Sequence, residues 1–306
     1  MGQILQILIL GLALGGVYAL MASGLTLIFG VMRIVNLAHP IMIIAGAFVS
    51  YWLFRLTGLD PILSMPIAAI AMFCVGLVLY KLVFEREAAS AKYSEMTVLL
   101  TFAVALCADG LLGTLFTNTQ RGTNPSYATD AIFLSDYLPK GGALAGLFGD
   151  VFIPTGQLYA GLASIVVIGA LLLFLRYTRF GYAIRATTQN RAAAQLMGVN
   201  VGFVSLVTFG IGIGLAGAAG ALISFIFQFF PAKHWEWIAI LMSLVVLGGM
   251  GKLMGVIVAS LLLSVIAAFV GTYFGATWST LTFFLALFLI LLIRPQGLFG
   301  DRIEEV

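Results

Sequence analysis

Long, uninterrupted apolar segments recur along the whole chain and leave few folds open to it. The hydrocarbon core of a bilayer is roughly 30 Å thick, and a helix of about 20 apolar residues crosses it. The segments reach that length and lack the alternation of polar and apolar residues that is typical of outer-membrane barrel strands. Hydrophobic residues make up 62% of the chain and charged residues 9%, which excludes a soluble globular domain. The sequence therefore predicts an all-α, polytopic membrane helical bundle.

Interruptions in hydrophobicity divide the chain into eight or nine spans. No charge precedes Arg33, so the first segment lacks the positive start of a cleavable signal peptide and is predicted to be a transmembrane helix. Small residues at four-residue spacing in the first and sixth helices predict close contact between helix backbones. Eight of the predicted helices cover about 4–29, 40–56, 61–84, 95–117, 156–175, 201–230, 253–270 and 279–293. A further short helix, the seventh in chain order, begins within 233–237 and ends at 248.

The distribution of Lys and Arg predicts the orientation. With nine spans and the N-terminus outside, eleven of these residues lie on the inner side and four on the outer side. This bias follows the positive-inside rule, which the opposite orientation would violate. The C-terminus and segment 176–200 are therefore predicted to be cytoplasmic, and segment 118–155 external. An irregular segment as long as 118–155 is uncommon, so we expect it to form short helices on the membrane surface or to bind a partner.

Segment 176–200, RYTRFGYAIRATTQNRAAAQLMGVN, holds four arginines and no acid. Asn190 is a favourable N-cap and Gly198 a favourable C′ residue, so Arg191 to Met197 is predicted to form a helix of about two turns. Isolated helices shorter than roughly 12 residues are marginal in water. We therefore expect this helix to dock against a cytoplasmic partner, with the arginines steering the encounter. Alternatively, the arginines only fix the topology and contact anionic lipid.

The sequence contains no recognisable catalytic motif: no helical HExxH, no GxSxG, no P-loop and no intramembrane Ser/His or paired-Asp set. We therefore expect no bound cofactor and no ATPase activity of its own. Energy must then come from a partner or from an ion gradient. Gradient-driven carriers usually keep several ionisable groups near the midplane, whereas Asp109 is the only acid that the predicted spans place so deep. A self-sufficient gradient-driven carrier or channel remains the second interpretation.

Helix breaks and isolated polar residues mark a possible solute pathway or gate. Pro40 disfavours helix at the preceding residue, so a break is predicted between residues 33 and 40, where backbone groups could line a solute path. A glycine-rich turn at 248–251 interrupts the chain near its other end. The candidate pathway residues are Asn36, His39, Asp109, Gly248 and Gly249.

Each polar candidate also has a structural interpretation. The side chains in the first break could satisfy one another across the bundle, and Asp109 could hydrogen-bond to a neighbouring helix. His234 adjoins Trp235 and lies close to Trp237, so we expect it at the aromatic belt of the membrane interface.

Four motifs stand out along the chain: GGVYAL at 15–20 with GLTLIFG at 24–30 and NLAH at 36–39, RFG at 179–181 through MGVN at 197–200, LGGMG at 247–251 and RPQGLFG at 294–300. They resemble, in the same order, motifs of the branched-chain amino acid type ABC importer permeases, the LivH-like group. The resemblance covers nearly the whole chain. Pro40 departs from it, because the family usually has glycine after the histidine, and proline excludes a left-handed turn there.

The resemblance implies a single permease domain over 1–306, in a bacterial-type inner membrane. Its implied partners are a second permease subunit (LivM-like, or another copy of this chain), two cytoplasmic ATPases that use the ATP, an external solute-binding protein that docks on the side of 118–155, and membrane lipid. No nucleic-acid partner is expected. The helix after Asn190 would be a coupling helix held in a cleft of the ATPase. The residues so assigned to ATPase coupling are Arg185, Asn190, Arg191, Gln195, Met197 and Gly198.

The implied activity is ATP-driven import of amino acids or related small polar or organic-acid solutes. Members of the family import branched-chain and other amino acids, urea, amides and aromatic acids. The resemblance therefore leaves the solute open.

Overall fold

A computed structural model describes residues 2–85, 93–134, 151–294 and 296–300 of the chain. Over these residues the chain forms twelve α-helices and two short strands. Eight of the helices are long and apolar enough to cross a membrane. The predicted polytopic helical bundle is therefore confirmed, with the smaller of the two predicted numbers of spans.

The elements follow in chain order. They are α1 (Gly2–Met32), α2 (His39–Thr57), α3 (Pro61–Leu79, continued by a π-helical turn Tyr80–Phe84), α4 (Tyr93–Phe116), α5 (Ser126–Thr129), β1 (Ala131–Phe133), β2 (Phe152–Pro154), α6 (Thr155–Tyr177), α7 (Arg179–Gln189), α8 (Arg191–Leu196), α9 (Val201–Ile226), a 3-10 turn (Pro231–Lys233), α10 (His234–Gly248), α11 (Leu253–Phe274) and α12 (Ala276–Ile293).

Helix α9 is the centre of the bundle. Of its 26 residues, 20 are buried, and it packs on α1, α2 and α3. A Cβ added at Gly220 would lie 2.2 Å from the carbonyl oxygen of Ile43 in α2, and one added at Gly214 would lie 3.0 Å from that of Ala69 in α3. The small residues of this helix thus meet the backbones of two neighbouring helices, which confirms the predicted close contact.

The small residues of α1 have the same role. A Cβ added at Gly11 would lie 2.8 Å from the Cα of Val265, and one added at Gly15 would lie 3.0 Å from the Cα of Leu261. Both of these neighbours belong to α11. The prediction that the first helix approaches another backbone closely is confirmed.

The break between α1 and α2 differs from its prediction by a few residues. It covers 33–38, and α2 begins at His39, with Pro40 in its first turn. Proline is tolerated there because the first N–H groups of a helix have no intrahelical acceptor. Arg33 takes a positive φ of 58°, which turns the chain out of α1.

Helix α10 begins inside the bundle. Its 15 residues span about 22 Å at 1.5 Å per residue, less than the roughly 30 Å of a hydrocarbon core. His234 is fully buried and Trp237 is 4% exposed. Tertiary packing thus covers His234, whereas the neighbouring Trp235 is 41% exposed. The assignment of this segment to an interfacial aromatic belt stays a prediction.

The segment between α4 and α6 was expected to form short helices or to bind a partner. Its described part contains one short helix, α5, and an antiparallel strand pair in which Ala131 lies opposite Pro154. Residues 135–150 of this segment lie outside the described residues. The backbone of Arg121 exchanges two hydrogen bonds, of 2.9 and 2.8 Å, with Phe229 after α9. The start of the segment is therefore held against the bundle.

Helix α9 joins the two ends of the molecule, since Asn200 adjoins the arginine-rich segment whereas Ser224 contacts Thr123 through a 2.7 Å backbone hydrogen bond. Segments 176–200 and 118–134 thus lie at opposite ends. Their assignment to the cytoplasm and the exterior stays a prediction.

The close approach of α2 and α9 gives a stability prediction. A Cβ at Gly46 would lie 2.6 Å from the Cα of Gly217, so Gly46→Ala forces the two helices apart. We expect a loss of about 1–3 kcal/mol, seen as a lower Tm of the detergent-solubilised chain. Gly169→Ala in α6 is the matched control, because nothing lies within 4 Å of its added Cβ. Equal Tm values for the two variants would contradict this packing.

Candidate coupling and pathway sites

Helix α7 folds back against the end of α6. The hydroxyl of Thr178 accepts a hydrogen bond of 2.9 Å from the N–H of Gly181 and thereby caps α7. A Cβ at Gly181 would lie 2.5 Å from the carbonyl oxygen of Leu175, so the sharp turn requires glycine. The sequence analysis did not separate this helix from its surroundings, although Thr178 was the signal that could have revealed it.

Helix α8 has well-defined ends. The Oδ1 of Asn190 accepts a hydrogen bond of 3.0 Å from the N–H of Ala193. At the other end Gly198 has a φ of +84°, and its N–H donates to the carbonyl of Gln195 at 2.9 Å. The N–H of Val199 donates to the carbonyl of Ala194 at 3.0 Å, which completes a Schellman motif. The predicted short helix is therefore present, one residue shorter than expected.

The surface of α8 is almost entirely exposed. Only Ala194 is buried. Leu196 is 88% exposed and Met197 is 85% exposed. Gln195 is exposed beside them. The helix does not fold back into its own bundle and presents apolar side chains at the end of the molecule.

The arginines around α8 keep their positive charge available. Arg185 lies over the ring of Tyr182 at 4.7 Å, and its Nη2 donates a 3.4 Å hydrogen bond to the carbonyl of Arg176. Among the described residues, none of the four arginines of the segment forms an ion pair. The surface around α8 is therefore cationic as well as apolar.

The end of α7 contacts the two helix breaks. The Nη2 of Arg33 donates a 3.4 Å hydrogen bond to the carbonyl of Thr188. A Cβ at Gly30 would lie 3.5 Å from the side chain of Thr188 and 3.6 Å from the carbonyl oxygen of Gly251. The end of α1, the end of α7 and the turn between α10 and α11 thus meet at one point.

The turn between α10 and α11 is fixed by the segment 296–300. Gly249 has a φ of +93°, and a Cβ there would lie 2.8 Å from the backbone nitrogen of Gly300. The N–H of Leu298 donates to the carbonyl of Leu247 at 2.8 Å. At Gly248 an added Cβ would lie 2.5 Å from the Cα of Val256. These glycines therefore serve tight backbone packing at the predicted gate.

Asn36 and His39 are buried at the junction of α1 and α2. The Nε2 of His39 lies 2.9 Å from the carbonyl oxygen of Met21, and the Oδ1 of Asn36 accepts a hydrogen bond of 3.1 Å from the N–H of Ala38. Both residues are at most 1% exposed. The Nδ2 of Asn36 and the Nδ1 of His39 have no hydrogen-bond partner among the described residues, so the solute-path role and the structural role of this pair both stay predictions.

Asp109 lies beside His234 rather than in a hydrogen bond with it. Its Oδ1 is 3.8 Å from the Nδ1 of His234, which is too long for a hydrogen bond. The same Nδ1 lies 2.8 Å from the carbonyl oxygen of Pro231. Lys233 and Glu236 are neighbours of this site and form an ion pair. The sequence analysis did not bring these groups together with Asp109, because their proximity depends on the buried start of α10.

At the end of the molecule opposite to α8, the side chains of Tyr127 and Arg121 anchor segment 118–134 to the bundle. The hydroxyl of Tyr127 donates a 2.9 Å hydrogen bond to Asp60, whose Oδ1 also accepts from the N–H of Ile62 and caps α3. Burial, followed by this bond to a carboxylate, raises the pKa of Tyr127. The guanidinium of Arg121 lies over aromatic rings of α2 at 5.5–5.9 Å. No sequence signal pointed to either anchor.

No three His, Cys, Asp or Glu side chains come together in the part of the chain that the structure describes, so no metal site is indicated there.

The family described as "Branched-chain amino acid transport system / permease component" matches residues 7–292 of the chain. The chain belongs to this family. It is 27% identical to the high-affinity branched-chain amino acid transport system permease protein LivH of Salmonella typhimurium, over 99% of this chain and 97% of the relative. The permease protein BraD of Pseudomonas aeruginosa is also 27% identical, over 99% and 98%. A probable LivH of Methanocaldococcus jannaschii is 27% identical over 92% and 88%.

No solved structure shows a significant match to this permease. Family membership and the eight candidate spans identify it as a multi-pass membrane protein.

The capping geometry gives a prediction for the permease. Asn190→Ala removes the acceptor for the Ala193 N–H and should destabilise α8 by about 1 kcal/mol. Hydrogen exchange of the amides in 191–198 should then be roughly fivefold faster, while exchange in α9 stays unchanged. Asn190→Asp is the control, because it keeps an acceptor. Equal exchange in the two variants would show that the cap does not stabilise this helix.

Proposed function

We propose that the chain is the permease subunit of an ATP-driven ABC importer, moved by partner ATPases through α8. The observation that carries the proposal is the exposure of Leu196 and Met197 on a capped helix that has almost no buried surface of its own. Burial of such side chains in a partner cleft is favourable and supplies the packing that six residues lack. The surrounding arginines speed association with an acidic surface.

Motion of α8 can reach the predicted gate through α7. Thr178 and Asn190 have extended backbones at the two ends of α7, so this helix can rotate as a unit between them. Its far end contacts Arg33 and, through Thr188, the region of Gly30 and Gly251. We infer that a displacement of α7 alters the contact between the end of α1 and the turn before α11. This would open or close the end of the pathway next to 176–200.

The printed names of the relatives describe branched-chain amino acid transport. We propose that this chain carries amino acids or related small polar or organic-acid solutes across a bacterial-type inner membrane. Its proposed partners are two ATPases at α8, an external solute-binding protein at the end that contains 118–134, and a second permease subunit or a second copy of this chain.

The alternative, a self-sufficient carrier or channel, differs in one measurable respect. It predicts solute flux by the purified chain alone in liposomes, without ATP. An importer permease requires its ATPases and ATP for uptake.

A double substitution tests the docking of α8. Leu196→Gln with Met197→Gln removes the exposed apolar side chains without touching the bundle, so the Tm of the permease should stay unchanged. We expect at least a tenfold weaker association with the ATPase subunits and a matching loss of ATP-driven uptake. Leu56→Gln is the matched control, because Leu56 is 78% exposed at the opposite end. Wild-type association and uptake in the double variant would contradict the proposed coupling site.

A further inference from the structure

The end of α6 carries an exposed aromatic side chain beside a cationic one. Tyr177 is the last residue of α6, which is one of the candidate membrane spans, and its side chain is 66% exposed. The guanidinium carbon of the preceding Arg176 lies 5.6 Å from the centre of the Tyr177 ring. A tyrosine and an arginine at the end of a span are typical of the headgroup level of a membrane.

Helix α7 brings a second pair of the same kind to this level. Because α7 folds back on α6, Arg185 returns to the end of α6, and its Nη2 donates the 3.4 Å hydrogen bond to the carbonyl oxygen of Arg176. The guanidinium carbon of Arg185 lies 4.7 Å from the centre of the Tyr182 ring, and Tyr182 is 58% exposed. We call the four residues Arg176, Tyr177, Tyr182 and Arg185 the arginine–tyrosine face.

The arginine–tyrosine face carries positive charge that the neighbouring chain does not neutralise. Segment 176–200 contains no acid, and neither Arg176 nor Arg185 takes part in an ion pair within the ranges that the structure describes. Both residues are exposed. A guanidinium group presents five N–H donors in one plane, which suits the oxygens of a phosphate group. The face therefore has the charge and the donors to bind an anion at the membrane surface.

The position of the face favours the membrane over the ATPase as its partner. Arg176 and Tyr177 belong to the span itself, so phospholipid headgroups lie beside them when this span crosses a bilayer. The proposed ATPase contact, α8, begins only at Arg191, beyond the extended residue Asn190. The leaflet next to segment 176–200 is predicted to be the cytoplasmic one, and basic residues close to a span on that side attract anionic headgroups.

We propose that the arginine–tyrosine face binds the phosphate group of an anionic phospholipid in the leaflet next to segment 176–200. Arg176 and Arg185 donate hydrogen bonds to the phosphate oxygens. The rings of Tyr177 and Tyr182 hold the two guanidinium groups in place. Because Arg176 belongs to α6 and Arg185 to α7, one headgroup joins the two helices and fixes α7 against the end of α6.

Lipid binding by the full chain tests the face. In detergent, dioleoylphosphatidylglycerol should bind about tenfold more tightly than dioleoylphosphatidylcholine, as measured by native mass spectrometry. The double variant Arg176→Gln with Arg185→Gln should lose this preference, while its Tm stays unchanged because both side chains are exposed. An equal preference for phosphatidylglycerol in the wild type and the double variant overturns the face. Displacement of the lipid by inorganic phosphate would also overturn it, because the site would then be one for free phosphate.

A matched pair of single variants separates the face from other arginines at the membrane surface. Arg55 also lies over a tyrosine ring, 5.9 Å from the centre of the Tyr51 ring, but at the opposite end of the molecule. Arg185→Gln should reduce the preference for phosphatidylglycerol about threefold, whereas Arg55→Gln should keep it. An equal loss in the two variants would show that any exposed arginine has this effect and that the face is not a specific site.

Hydrogen exchange measures the hold on α7. The amides of 179–189 should exchange about threefold more slowly in phosphatidylglycerol nanodiscs than in phosphatidylcholine nanodiscs. The double variant should show equal exchange in the two lipids. Exchange in α9, where most residues are buried, is the control and should be the same throughout. Equal exchange of 179–189 in both lipids for the wild type would contradict the hold on α7.

The rival partner of the face is the ATPase. In lipid-free detergent the double variant should bind the ATPase subunits as tightly as the wild type, because α8 is intact and Arg179 and Arg191 remain to steer the encounter. Binding that is about tenfold weaker would assign Arg176 and Arg185 to the ATPase and refute the lipid site. Lipid binding and exchange are measured on the permease alone, so the lipid site and the importer function can fail independently.

Discussion

A helix of six residues cannot stabilise itself, and α8 contributes almost none of its surface to the bundle behind it. Its two caps satisfy backbone groups at both ends, yet they supply no apolar burial. Leu196 and Met197 remain in solvent, with cationic side chains nearby. The proposed ATPase contact follows from this imbalance, because burial against a partner is the contribution that the helix lacks. All later steps of the proposed transport cycle depend on that contact.

Close helix packing makes the bundle rigid, so that it can pass on a motion but cannot easily change its internal packing. Glycine and alanine let α9 approach α1, α2 and α3 at backbone distance, so these helices cannot slide past one another without collision. Motion is therefore expected at α7, whose two ends have extended backbones, and from there it can reach the turn before α11. Thr188 joins these two regions through its contacts with Arg33 and Gly30.

Local sequence signals predicted the membrane spans and one of the two helices of segment 176–200, namely α8. Apolar length gave the spans, and the identities of Asn190 and Gly198 gave the ends of α8, because capping depends on neighbouring residues only. Features that depend on distant residues were missed. The strand pair β1–β2 joins residues about 20 positions apart, and the buried position of His234 depends on the packing of α4 and α10. For Asn36 and His39 the sequence left two interpretations open. The structure adds their contacts with Met21 and Ala38 and leaves one side-chain nitrogen of each without a partner among the described residues.

The most direct test is the accessibility of Met197 in the membrane. Cys74 and Cys107 are first replaced by serine, and Met197→Cys then provides a single reporter thiol for a membrane-impermeant maleimide. The account predicts rapid labelling of the permease alone, only from the cytoplasmic side, and at least tenfold slower labelling in the assembled importer. Equal labelling rates with and without the ATPases, or labelling from the external side, would contradict the docking of α8.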